Sequence, residues 1–108
     1  MKRTNSFPVK NLNKNVADFK STRKQLTEIL GLPEYVETDS FCTAGGEEDW
    51  WYYENSDGDF FVVVLRISYE HGSLLSTTND AEKISKFISK IFSKLNVEVF
   101  DEPYVYIH

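Results

Sequence analysis

The tightest constraint on this chain is a pair of strand-like runs, Trp50–Asn55 and Phe60–Ser68, joined by "SDGD". Asp57-Gly58 favours a two-residue type I′ turn, in which both central residues take positive φ. Such a turn makes the runs antiparallel, sets Ser56 against Asp59 and hence Trp50 against Leu65. Side chains alternate along a strand. One face then carries Trp50, Tyr52 and Glu54 opposite Leu65, Val63 and Phe61. The other carries Asp49, Trp51, Tyr53 and Asn55 opposite Arg66, Val64, Val62 and Phe60. The first face is almost wholly apolar and is expected to pack on helices. The second holds an Asp–Arg pair and is expected to meet solvent or a partner. Two arrangements would hide Trp51 and Tyr53 instead: a covering loop, or helices on both faces. A slip of one residue would exchange the faces.

The rest of the chain fits around this hairpin. Val16, Phe19, Leu26, Ile29 and Leu30 recur near a helical period, which predicts a helix over Val16–Leu30, capped by Asn15 and closed by Gly31 and Pro33. Tyr35–Phe41 reads as a strand and "CTAGGEED" as a loop. "YEHGSLLSTTND" reads as a loop with at most a short extended piece. Asp80–Leu95 sets Ala81, Ile84, Phe87, Ile88, Ile91, Phe92 and Leu95 on one stripe, with Lys83, Lys86, Lys90 and Lys94 opposite. Asn79 and Glu82 suggest a capping box at its start. "NVEVF" and "YVYI" follow as two short strands, and "SFPVKNL" near the N-terminus suits an edge strand. The order (β)αβββαββ predicts an α+β class: a mainly antiparallel sheet with two helices packed on it.

A chain of 108 residues with 15% aromatic content supports one domain with a real core, residues 1–108. The single cysteine, Cys42, excludes an internal disulfide and fits a reducing compartment. The basic "MKRTNSFPVKNLNKN" is followed by no apolar stretch, so no secretory signal is expected. The longest apolar run, Phe60–Leu65, is far short of a membrane span. These features predict a cytoplasmic protein.

Charge is sorted along the chain. From Gln25 to Leu65 there is no lysine or arginine, while ten of the 17 acidic residues lie there. All 12 basic residues fall outside that segment, in a chain of net charge −5. An acidic middle of this kind attracts cationic partners and speeds their encounter.

Signals for other chemistry are weak. Gly45-Gly46 has no lysine signature of a phosphate loop. His71, His108 and Cys42 lack the spacing of metal ligands. "NSDGD" has too few acids for a calcium loop. A Cys42–His71 or Ser73–His71 pair would have to form in space, because nothing local supports one. Glu47 and Glu48 are adjacent on a short loop and diverge. The lysine row of the second helix is the wet side of an amphipathic helix, and the aromatic residues sit with acids rather than with bases, which argues against nucleic acid. No catalytic residue, metal site or cofactor is expected.

A small acidic domain of this kind suits a binding module. In size, charge and the cluster "EEDWWYYENSDGD", the chain resembles bacterial toxin immunity proteins, particularly those of contact-dependent growth inhibition. The resemblance implies a cytoplasmic inhibitor that forms a heterodimer with a cognate cationic toxin domain, an RNase or DNase, without touching nucleic acid or membrane. The residues expected to meet that partner are Glu47, Glu48, Asp49, Trp51, Tyr53, Asp57 and Asp59, together with Tyr35, Glu37 and Asp39. Two alternatives stand beside it: a phage-type acidic nucleic-acid mimic that blocks a host defence enzyme, and a small enzyme using His71.

Overall fold

The computed structural model describes residues 2–4, 14–40, 46–78, 80–92 and 97–105. Its elements are β1 (Lys2–Arg3), β2 (Lys14–Lys20), α1 (Arg23–Leu30), β3 (Tyr35–Ser40), β4 (Gly46–Glu54), β5 (Phe60–Arg66), β6 (His71–Ser76), α2 (Ala81–Ile91) and β7 (Val97–Val105), with a 3₁₀ turn at Ile67–Tyr69. The strands form one seven-stranded sheet in the order β1-β4-β5-β6-β2-β7, and β3 pairs with β4 on the same side as β1. All the pairings are antiparallel. The α+β class, an antiparallel sheet with two helices packed on it, is as the sequence predicts.

Local differences have local causes. Residues 14–20 are strand, and the helix begins only at Arg23, where the Thr22 side chain accepts from the Gln25 N–H. Ala17 and Phe19 are buried between Asp18 and Lys20, a period of two. The register shifts between Asn15 and Ala17 in both ladders, so Val16 is an extra, inward residue. That bulge breaks the alternation and leaves a spacing that imitates a helix. Gly46–Asp49, expected as loop, begins β4. His71–Ser76 is a full central strand. Gly72 permits it: a Cβ there would lie 2.1 Å from Phe19 Cζ, because the Phe19 ring crosses the strand at this point. Residues 97–105 run as one strand through Pro103. Asp80 caps α2, accepting from the N–H groups of Glu82 and Lys83. The expected N-terminal strand over 6–12 and the Asn79 cap lie outside the described residues.

The hairpin turn decides the faces. Asn55 Oδ1 accepts from the N–H groups of Asp57 and Asp59, both at 2.9 Å. Asn55 N–H donates to Asp59 O and Gly58 N–H to Asn55 O. Gly58 has φ of 83°, whereas Asp57 keeps the negative φ usual for a side chain. This is a longer loop, with glycine alone in the left-handed region, and not a type I′ turn. Trp51 pairs with Val63 and Glu54 with Phe60, one residue away from the expected register. Phe61, Val63 and Leu65 still point to the helices, as predicted. Asp49, Trp51 and Tyr53 join them, and Trp50 and Tyr52 point the other way.

Both helices pack on that face. Leu26 and Leu30 of α1 and Ile84 and Phe87 of α2 share one core cluster with Trp51, Tyr53, Phe61, Val63, Leu65 and Leu74. Phe87 stacks on Phe61 at 4.5 Å and meets the edge of Tyr53 at 5.3 Å between ring centroids. Such pairs add to the burial term. On the opposite face Tyr52, Val62 and Val64 form a smaller cluster with Trp50, Phe60 and Leu75.

Candidate binding site at the edge of the sheet

The outward placement expected for Trp51 and Tyr53 is overturned. Trp51 is fully buried, and its indole Nε1–H donates to Gly31 O at 2.9 Å, at the end of α1. Tyr53 is 5% exposed and lies under Arg3, 5.4 Å from the ring centroid. Burial raises its phenol pKa above the ordinary 10.0, the nearby Arg3 charge opposing. Neither ring is a free anchor for a partner. The one-residue change of register is the physical reason.

Most of the acidic cluster is also spoken for within the chain. Asp49, 1% exposed, takes a two-pronged bond from Arg23, at 2.8 and 2.9 Å. Glu47 adds a second contact to Arg23 at 3.4 Å. The Asp49 hydrogen bond first, and Glu47 after it, hold the Arg23 guanidinium protonated well above its ordinary value, against the cost of desolvation. Glu48 is buried beside Arg66 at 3.4 Å. Asp59 and Asp57 both bind Lys83 of α2, at 2.9 and 3.4 Å, and the Asp59 bond leads in raising the pKa of that ammonium. Glu34 pairs with Arg3 and accepts from Tyr52 N–H. The basic flanks of the sequence thus fold back onto its acidic middle.

What remains open lies on β3 and the chain entering it. Of the four most exposed large apolar side chains among the described residues, three lie here: Leu32 (79%) and Val36 (40%), which form a shoulder on the helix side, and Tyr35 (45%), on the reverse of β3. The fourth, Tyr69, sits in the turn after β5. Arg3 builds the shoulder from beneath. Its guanidinium donates to Leu30 O and Leu32 O and pairs with Glu34, so the chain leaving α1 is held in place with Leu32 turned outward. Val36 pairs with Asp49 and therefore lies on the helix side of β3. There it borders a largely apolar groove of about 710 Å³ between α1 and the sheet edge, whose lining includes Leu32 and Pro33, the acids Glu28 and Glu47, and the cations Arg23 and Lys24. That volume is enough to take side chains from another molecule.

Tyr35 and Glu37 pair with Trp50 and Glu48 and lie on the other side of β3. The Tyr35 hydroxyl donates to Glu37, and this bond holds the phenol pKa above 10.0. Asp39 lies on β3, with its side chain outside the described residues. The structure therefore sets Glu47 at the groove and Tyr35 and Glu37 on the reverse of β3. It sends Asp49, Trp51 and Tyr53 toward the helices, buries Glu48 on the opposite face, and leaves Asp57 and Asp59 at the far end of β4. Leu32, Pro33 and Val36 are the residues that reading the sequence missed. An apolar residue between a helix-ending glycine and a proline has no periodicity to bury it, and that was the available signal.

His71 sits in a polar network on the helix-free side of the sheet. Arg66 Nη1 donates toward His71 Nδ1 at 3.2 Å and to Ser73 Oγ at 3.1 Å. An acceptor at Nδ1 places the ring proton on Nε2, which faces Asp18 at 3.5 Å. Ser73, 1% exposed, donates to Asp18 and not to the imidazole. With both ring nitrogens engaged elsewhere, His71 is not aligned to take a proton from Ser73. Among the described residues no three His, Cys, Asp or Glu side chains group as metal ligands, and no helix is long and apolar enough to cross a membrane.

Compared with protein-family models, curated proteins and solved structures, the chain matches none. Fold and site together define it by architecture alone: an antiparallel α+β protein with helices on one face and an apolar groove beside an edge strand.

Proposed function

We propose that this chain is a protein-binding inhibitor: a cytoplasmic immunity-type protein that neutralises a cognate cationic toxin domain, an RNase or DNase, as a heterodimer. It works by occupancy and not by turnover, and it contacts neither nucleic acid nor membrane. The observation that carries this reading is the groove beside β3, where Leu32 and Val36 are exposed next to Glu28, Glu47 and the cations Arg23 and Lys24, with the exposed Tyr35 and its partner Glu37 on the reverse of the same strand. Exposed apolar side chains beside charged ones mark a surface suited to protein contact. Charge guides the encounter, and apolar contact sets the residence time.

The contact surface so proposed differs from the one expected around Trp51. A mimic of nucleic acid needs an array of free carboxylates. Asp49, Glu48, Asp57 and Asp59 are each tied to a cation of this chain, which favours the protein-binding shoulder over the mimic. The experiment is co-purification with a cationic nuclease domain encoded beside this chain, followed by a nuclease assay of the complex. Stoichiometric capture and loss of nuclease activity are expected, and Leu32→Ser with Val36→Ser should release the toxin. Full inhibition by that double variant would move the contact surface elsewhere. No binding by the native chain would end the toxin-inhibitor reading.

A further inference from the structure

The turn between α1 and β3, "GLPE" from Gly31 to Glu34, is pinned along its whole length. Gly31 has φ of 84°, a conformation that glycine takes without strain. Pro33 fixes its own φ and disfavours helical backbone at Leu32. The carbonyls of Leu30, Gly31 and Leu32 all accept from side chains of other strands. Arg3 of β1 donates to the first and the third. Trp51 of β4 donates to the second, from Nε1 at 2.9 Å. At the far end Glu34 N–H donates to Trp50 O at 2.9 Å. The Glu34 carboxylate accepts from Tyr52 N–H at 2.9 Å and pairs with Arg3. All this holds an apolar side chain out in water: Leu32 is 79% exposed. Pro33 and Val36 line the groove beside it, and a leucine on a loose turn would gain by lying down on them.

We infer that Gly31–Glu34 is a pre-formed recognition turn, in which Leu32 is the anchor that enters an apolar pocket of the partner and Arg3 and Trp51 are the positioning residues that hold it ready. This rests on the inhibitor reading and specifies how the chain grips its partner. A turn already fixed in its bound shape does not lose conformational freedom when the partner arrives, so more of the contact energy appears as affinity. The two positioning residues differ in a way that makes the role testable. Arg3 is partly open, with 32% of its side chain exposed. Trp51 is fully buried and cannot touch a partner. Whatever its indole N–H does for binding has to pass through Gly31 O.

The first arm of the test needs no partner. In the whole isotopically labelled protein, backbone order parameters at Gly31, Leu32 and Glu34 are expected to match those of β4 and β5, at about 0.85. Arg3→Lys keeps the charge but loses the fork that reaches two carbonyls. Trp51→Phe keeps a buried ring but loses the N–H. Each should lower the order at Gly31 and Leu32 toward about 0.6 while Val63 and Leu74 stay as in the native chain. A native turn that is already loose, or variants that leave it unchanged, would overturn the inference. The second arm measures affinity for the cationic nuclease domain encoded beside this chain. Each positioning variant should weaken binding roughly tenfold, and Leu32→Ala by at least as much. Adding Trp51→Phe to Leu32→Ala should weaken it no further, because the indole acts through the leucine. Additive losses would remove Leu32 as the anchor and leave the inhibitor reading intact. No binding by the native chain, with its turn ordered and loosened by both variants, would remove the inhibitor reading and leave the positioning roles of Arg3 and Trp51 standing.

Discussion

β3 and β4 lie side by side in one ladder and have opposite fates. β4 carries the aromatic and acidic cluster that looks built for contact, yet Trp51, Tyr53, Glu48 and Asp49 are all buried. β3 carries the less aromatic "YVETDS", and Tyr35 and Val36 stand in solvent. Among the described residues β4 is flanked by β5 on one side and by β1 and β3 on the other, with helices on one face, whereas β3 pairs with β4 alone. A strand's exposure is thus set by its place in the sheet order, and a strongly apolar strand is drawn to the centre because it has most to gain there.

The sharpest way to break this comparison is to substitute on both strands and read stability. Trp51→Ala removes a fully buried indole and its bond to Gly31, and should cost about 3–5 kcal/mol in urea unfolding. A loss below about 1 kcal/mol would mean that the ring is not core. Next comes Arg23→Ala, expected to cost roughly 3 kcal/mol because it leaves the Asp49 carboxylate buried without its partner. Asp49→Asn should cost less, since Arg23 is 40% exposed and can turn to water. The reverse order would place the dominant burial on the arginine.

Smaller effects come from titration and from β3 itself. Tyr52 and Tyr53 hold their protons above the ordinary value of 10.0, mainly through burial, and Lys83 holds its proton above 10.5 through Asp59 and Asp57. Each folded group binds its proton more tightly than the unfolded one. Their contribution is therefore complete below pH 10 and declines as the pH rises above it. Thermal melts at rising alkaline pH, with tyrosinate absorbance followed in parallel, should show stability falling together with late ionisation. Smallest of all, Leu32→Ser and Val36→Ser should each change stability by no more than about 0.5 kcal/mol, both residues being surface positions. A larger loss would show that the shoulder is part of the core and not a free surface.

Several elements were legible directly. The lysine-backed stripe of α2 is a helix, with Ile84 and Phe87 buried as its period demands. The β4–β5 hairpin exists, and Phe61, Val63 and Leu65 face the helices as predicted. β2 and β6 were not legible. In β2 an inserted Val16 disguises the alternation, and in β6 "HGSLLS" takes its strand character from the neighbours on both sides. For the site, Tyr35 and Glu37 were visible as candidates, while Leu32 and Val36 needed the groove to give them meaning.

By itself the sequence determines that residues of one parity along β4 share a face, that its acids lie far along the chain from its bases, and that the class is α+β. Those properties follow from strand geometry and composition. Which parity faces the helices was settled only in the folded chain. The Asn55 side chain bonds two backbone N–H groups of the turn, Asp57 stays at negative φ, and the register moves by one residue. A strand has a period of two, so that single step carries Trp51 and Tyr53 into the core. The same folding brings Arg3, Arg23, Arg66 and Lys83 onto the acidic middle. Through-space pairing is invisible to any reading along the chain, and here it turns a contact surface suggested by composition into internal structure and leaves Leu32, Tyr35 and Val36 exposed.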